Sequence, residues 1–140
     1  MTDKKELPKS STVKNNECRL VPHRFTDDEM QRKFPMATFE YEGLAVHRGD
    51  EYDPVAYLCM ELPPGPACTL HLWIPKENRS KENIEWLVEA FYSDLHPWVK
   101  SKGKDFIVVN CPYDLVKTKE LFRTFGFDPV PIWLGVMPVN

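Results

Sequence analysis

The stretch LFRTFGF, residues 121–127, decides how the chain is read. Leu121, Phe122 and Phe125 recur at helical spacing, and the run stops at Gly126. Glycine reaches positive φ without a Cβ penalty, so it closes a helix at low cost, and an aromatic just beyond it can pack back on the last turn. Phe127 occupies that position. The apolar, proline-punctuated segment that follows, Val130 to Val136, reads as a last strand.

Upstream, Pro112 and Asp114 open this helix, which also carries Leu115. Before it, Phe106 to Val109 (FIVV) is a short, wholly apolar run, as expected of a strand at the centre of a sheet. Preceding that is the clearest helix of the chain. Ser80 is its expected N-cap, and Ile84, Leu87, Val88, Phe91, Leu95 and Trp98 form one stripe. Pro97 is expected to kink or shorten its end, with Gly103 as the terminating residue.

The first half reads as strands around one short helix. Cys18 to Pro22 is a strand, and TDDEMQRKF begins at a Thr26 cap with Asp27, Asp28 and Glu29 in the first turn. Phe39 to Arg48, Pro54 to Leu62 and Ala67 to Ile74 follow as an antiparallel meander. Gly43 is read as a bulge, GDEYDP as a turn and PPGP (63–66) as a forced reversal. The order is β-α-β-β-β-α-β-α-β. The class is α/β (α+β), with a mixed, mostly antiparallel central sheet flanked by helices.

Composition sets the limits. The 140 residues, 42% apolar and 28% charged, suit one globular domain at 17–140 behind a polar arm at 1–16. That arm, MTDKKELPKSSTVKNN, has little to bury and is expected to stay disordered on its own, with a protein partner as one candidate to hold it. The net charge of −3, with no basic stripe, gives no support for nucleic-acid binding. No apolar run approaches the ~20 residues of a membrane span, and no signal peptide is visible. Cys18, Cys59, Cys68 and Cys111 have no CxxC spacing and read as reduced thiols of a cytoplasmic protein. The four histidines are dispersed, so no metal site is expected.

The element order and the LFRTFGF ending resemble the GNAT superfamily of acyl-CoA N-acyltransferases. Its last helix carries a pattern close to NxxAxxLYxxxGF. Leu121, Gly126 and Phe127 fit, and Phe122 stands at the tyrosine position. Ala67 to Val136 follows the second half of that fold; the first half fits in outline. The resemblance implies a glycine-rich loop, R/QxxGxG/A, whose backbone amides hold the CoA pyrophosphate ahead of the long helix. Here that loop is IPKENRSKENIEWL, and no glycine occurs from Ala67 to Lys102. Arg79, Ser80 and Lys81 are the candidate pyrophosphate-binding residues, with Lys76 nearby, while Glu77 and Glu82 oppose an anion. The family's tyrosine can protonate the departing thiolate; Phe122 cannot. Leu115 and Thr118 stand at the motif's asparagine and alanine positions. His71 and Glu61 are the candidate general bases.

These departures favour a non-catalytic module acting as a protein-binding or structural subunit of a larger assembly, with no cofactor. The glycine-poor loop also resembles GNAT-like proteins of tailed bacteriophages, some of them virion-associated, which would place the chain in the host cytoplasm or the virion. A protein partner or a second copy would engage residues 1–16 and exposed aromatics among Trp73, Trp86, Trp98 and Trp133. The alternative is an acetyl-CoA-dependent N-acyltransferase with a divergent loop.

Overall fold

The computed structural model describes residues 16–37, 40–110, 116–128 and 137. The expected strand at 130–136, Trp133, Cys111, Leu115 and the arm at 1–15 lie outside the described residues. Two compact units divide between Asn110 and Cys111.

In the first unit, β1 (Cys18–Pro22), β2 (Tyr41–Arg48), β3 (Ala56–Glu61), β4 (Ala67–Trp73) and β5 (Phe106–Val108) form one sheet in that order. The first three pairings are antiparallel; β4 and β5 are parallel. The described strands form a mixed, mostly antiparallel sheet with helices on both faces, as the sequence predicts.

Side chains alternate across the sheet. One face carries Tyr41, Gly43, Ala45, Tyr57, Cys59, Glu61, His71 and Trp73. It is covered by α1 (Asp27–Lys33), through Phe25, Met30 and Phe34 packed with Cys59, Tyr57 and Trp73. Thr26 and Glu29 form a reciprocal capping box at the start of α1: Thr26 Oγ1 accepts from the Glu29 amide at 3.1 Å, and Glu29 Oε1 accepts from the Thr26 amide at 2.9 Å. That backbone hydrogen bond lowers the Glu29 carboxyl pKa. Its stabilisation is present above the ordinary glutamate range and is lost as pH falls through the depressed value.

The opposite face carries Leu20, Val46, Leu58, Met60, Cys68 and Leu70. It is covered by a long helical segment made of α2 (Lys81–Ala90), a π-helical turn (Phe91–Leu95) and α3 (His96–Ser101). Leu87, Phe91, Leu95 and Val99 form its buried stripe, so Val99 takes the place expected of Trp98. Helical structure continues past Pro97 to Ser101, so the proline does not end the segment. It sits in the first turn of α3, and the π turn upstream absorbs the missing amide and the clash of the ring with the preceding turn.

Two helix ends share one closing geometry. After α3, Gly103 (φ 77°) donates to Lys100 O at 2.9 Å and Lys104 donates to Val99 O at 3.3 Å. After α4 (Val116–Thr124), in the second unit, Gly126 (φ 96°) donates to Arg123 O at 2.9 Å and Phe127 to Phe122 O at 3.0 Å. Both are Schellman motifs. The Phe122 and Phe127 rings meet edge to face at 5.7 Å, so LFRTFGF closes its helix as predicted.

Two sequence readings are corrected. Gly43 is not a bulge. The β2–β3 register runs through it without a slip, and on the other side the His23 carbonyl, just beyond β1, approaches too closely for a side chain. FIVV is not wholly buried, since Phe106 and Val108 are exposed, while the strand expected at 130–136, which bears on whether it is central, lies outside the described residues. β5 ends the described sheet, and Phe106 is 62% exposed. Its start is instead pinned by Lys104, a buried lysine whose Nζ donates to Pro63 O at 2.5 Å and Gly65 O at 2.6 Å. The charge thereby meets two carbonyls of the PPGP reversal, which is how a buried ammonium is tolerated.

Candidate functional site

β4 and β5 pair through Ala67–Phe106, Cys68–Ile107 and Thr69–Val108. There β5 ends, while β4 continues from Leu70 to Trp73. On that continuing stretch lies His71. Its Nε2 is 2.5 Å from Glu61 Oε1 on β3. The two candidate bases are therefore one hydrogen-bonded pair. The register explains it: Cys59 faces His71 and Glu61 faces Thr69, so Glu61 and His71 are diagonal neighbours on one face. The side chains are 5% and 12% exposed respectively. Phe34 lies against the imidazole, with centroids 6.3 Å apart.

The aromatic wall continues beside the pair. Lys33 stands over the Tyr57 ring at 5.1 Å and the Trp73 ring at 5.7 Å. Arg79 stands over Trp73 at 5.8 Å. Burial pushes the Tyr57 hydroxyl pKa up, with Glu29 and Asp53 adding to the rise.

β4 leads into the candidate loop. Lys76–Asn78 form a single 3₁₀ turn, and Ser80 caps α2 by accepting from the Asn83 amide at 3.1 Å. The predicted N-cap is confirmed. Asn78 Nδ2 donates to Pro54 O (3.3 Å) and Val55 O (3.1 Å), and Asn83 Nδ2 donates to Asn78 O (3.1 Å). Side-chain amides thus hold a loop that has no glycine. Arg79 Nε donates to Ile74 O at 2.7 Å, and the residue remains exposed. Lys81 and Glu82 supply amides of the kind left without intrahelical partners at a helix start. Ser80, Lys81 and Arg79 are therefore together at the end of β4, and the carboxylates of Glu77 and Glu82 share the region.

The sequence reading missed the Asn78–Asn83 linkage and the pairing of His71 with Glu61. It expected tryptophans as interface anchors. Those described are half-buried, and each meets a cation: Trp73 as above, Trp86 under Arg48 at 4.7 Å and Trp98 under Lys102 at 5.2 Å. Trp86 Nε1 also donates to Asn16 O at 2.7 Å, which anchors the end of the predicted arm. The large exposed aromatics among the described residues are Tyr52, Tyr92 and Phe106. A separate groove of about 490 Å³ opens on the opposite face, between β1 and α2, away from the His71–Glu61 pair.

The three described thiols, Cys18, Cys59 and Cys68, are held in their neutral form. Burial raises Cys59 to about 12, with Glu61 contributing, and raises Cys18 to about 12, with Asp94 contributing. Burial also raises Cys68. A thiol at about 12 is ionised to roughly 1 part in 10⁴ at about pH 8, and the thiolate is the reactive form. Iodoacetamide at that pH is expected to leave Cys18 and Cys59 unmodified in the folded protein and to label both in urea. Peptide mapping by mass spectrometry checks this; native labelling of Cys59 at the rate of a free thiol would contradict it.

No protein-family description and no curated protein sequence matches the chain. Solved structures do. YycN of Bacillus subtilis, assigned as an acetyltransferase, is similar at a TM-score of 0.59 and 12% identity, over 89% of this chain and 100% of that one. A second Bacillus subtilis acetyltransferase, solved with CoA, gives 0.55 and 14%, over 79% and 76%. The aminoglycoside N-acetyltransferase AAC(6')-Iy, also solved with CoA, gives 0.55 and 8%, over 87% and 95%. The chain has the fold of the GNAT acetyltransferases.

Proposed function

We propose that the protein is an acyl-CoA-dependent N-acyltransferase. One observation carries the reading: β4 runs on past its last pairing with β5, that stretch bears His71 paired with Glu61 of the neighbouring β3, and the chain continues through the turn at Lys76–Asn78 to the N-terminus of α2, where Arg79 and Lys81 stand. Among the described residues that stretch has no strand partner on its β5 side, and a strand edge of that kind offers backbone N–H groups to a substrate carbonyl. A thioester lying there would have its carbonyl polarised as an acceptor amine attacks. The His71–Glu61 pair takes up the amine's proton. The C–S bond then breaks and the thiolate collects a proton from water. CoA would be bound by Arg79, Lys81 and the amides at the start of α2.

A second reading keeps the fold without the chemistry: a protein-binding or structural subunit of a larger assembly, a phage particle included. The loop favours it. Asn78 and Arg79 donate their amides to Pro75 O and Lys76 O, the Asn83 amide serves the Ser80 cap, and Glu77 and Glu82 add negative charge.

Isothermal titration with acetyl-CoA separates the two. The acyltransferase reading expects a Kd below about 100 µM, equivalent to about 5.5 kcal/mol of binding. It also expects at least a tenfold weakening when Arg79 and Lys81 are both changed to Glu. Absence of binding at millimolar acetyl-CoA would reject it in favour of the second.

A further inference from the structure

The geometry assigns His71 and Glu61 different jobs: His71 Nδ1 is the atom that receives the acceptor amine's proton, and Glu61 is a positioning residue that fixes the imidazole with its proton on Nε2. This rests on the acyltransferase reading for its chemistry and on the structure alone for its tautomer.

Hydrogen-bonding capacity decides which ring nitrogen carries the proton. An ionised carboxylate only accepts, so the ring nitrogen facing it must donate. The nitrogen facing Glu61 Oε1 is Nε2. In a neutral imidazole one nitrogen carries the proton and the other the lone pair. With Nε2–H committed to Glu61, the lone pair resides on Nδ1. Glu61 Oε1 is thereby engaged by the ring, which suits it to orient the imidazole. Its carboxylate is buried against the ring that it orients, and both residues stand on adjacent strands, which hold the pair in register.

The proton balance follows. As the amine nitrogen forms its bond to the thioester carbon, its N–H bond breaks and the proton passes to Nδ1. His71 is then doubly protonated, with the Glu61 carboxylate beside the new positive charge. When the C–S bond breaks, its electron pair stays on sulfur. The proton on Nδ1 is released through solvent as the thiolate is protonated, which restores the starting ring.

Long-range ¹H–¹⁵N correlation NMR on the full chain, without substrate, reads the tautomer directly. The expected result is a neutral His71 protonated at Nε2 and bare at Nδ1. In Glu61→Leu, the preference should relax toward a mixture. A neutral His71 protonated at Nδ1 in the parent protein would overturn the assignment, as would a Glu61→Leu ring with unchanged tautomer. The parent measurement stands even if Glu61→Leu fails to fold. Turnover gives a separate readout: Glu61→Leu should lose at least tenfold in kcat, with the KM for acetyl-CoA within about threefold of the parent. A parent that binds no acetyl-CoA would defeat the acyltransferase reading and the proton transfer with it. A wrong tautomer in an active enzyme would defeat the division of labour alone.

Discussion

Gly43→Ala is expected to destabilise the protein by about 3 kcal/mol, the upper part of the usual range for forcing extra volume into a packed core. A Cβ built on Gly43 lies 2.1 Å from the carbonyl oxygen of His23 and 2.7 Å from the Phe25 ring. The first contact is the severe one, because it is made by backbone. The His23 amide donates to Gly43 O at 2.8 Å, so the chain leaving β1 is fastened across the residue it would have to clear. Shrinking the ring would not help: Gly43→Ala combined with Phe25→Leu should recover little, since the carbonyl contact remains. Gly65→Ala is the informative control. Gly65 has φ +107° and nothing within 4 Å of its would-be Cβ, so its cost is conformational only and should be about 1 kcal/mol. Urea unfolding of the three variants measures the differences. Equal losses for Gly43→Ala and Gly65→Ala would refute the steric account.

That close approach also links fold to site. Because Gly43 presents no side chain, Phe25 can lie on the sheet, meet Phe34 at 5.0 Å and carry the aromatic layer toward His71. The sequence shows a glycine inside an alternating strand, and glycine there signals either a bulge or a close approach. Nothing local separates the two. The deciding atom belongs to His23, twenty positions away, so this was legible only once β1 and β2 were paired.

Other features were written locally and were read correctly. The Thr26 and Ser80 caps, the Gly126 closure and the PPGP reversal each depend on residues within a few positions of one another. The π turn was not legible: Pro97 signals a kinked or shortened helix end, and nothing local shows that the helix widens before it and continues to Ser101. The site was half legible. His71 and Glu61 stood out as ionisable residues on apolar strands. Their pairing follows from a hairpin centred on Gly65, since residues 57 and 73, 59 and 71, and 61 and 69 then face one another. The sequence contains that symmetry, but a one-residue change in turn register would put the histidine on the opposite face. The Asn78–Asn83 linkage could not be read at all. The acceptors of the Asn78 side chain that anchors it, Pro54 O and Val55 O, are backbone atoms more than twenty residues away.

His71→Ala is expected to lower kcat for acyl transfer by about 10²- to 10⁴-fold, the range over which a positioned general base contributes. Alone, that result would not separate chemistry from structure. Removing the imidazole also takes a hydrogen bond from a buried carboxylate, at a cost of about 1–3 kcal/mol in stability. His71→Gln distinguishes them. Glutamine can present an N–H to Glu61, so the unfolding midpoint should stay close to that of the parent, but an amide cannot accept the amine's proton. If His71 acts as the base, the glutamine variant should be as inactive as the alanine variant while remaining as stable as the parent. Acetyl-CoA affinity, measured by titration, should be unchanged in both, since the CoA-binding residues proposed here lie beyond the end of β4. A His71→Gln protein that turns over within threefold of the parent would show that the imidazole only supports Glu61, and the proton would then need another acceptor.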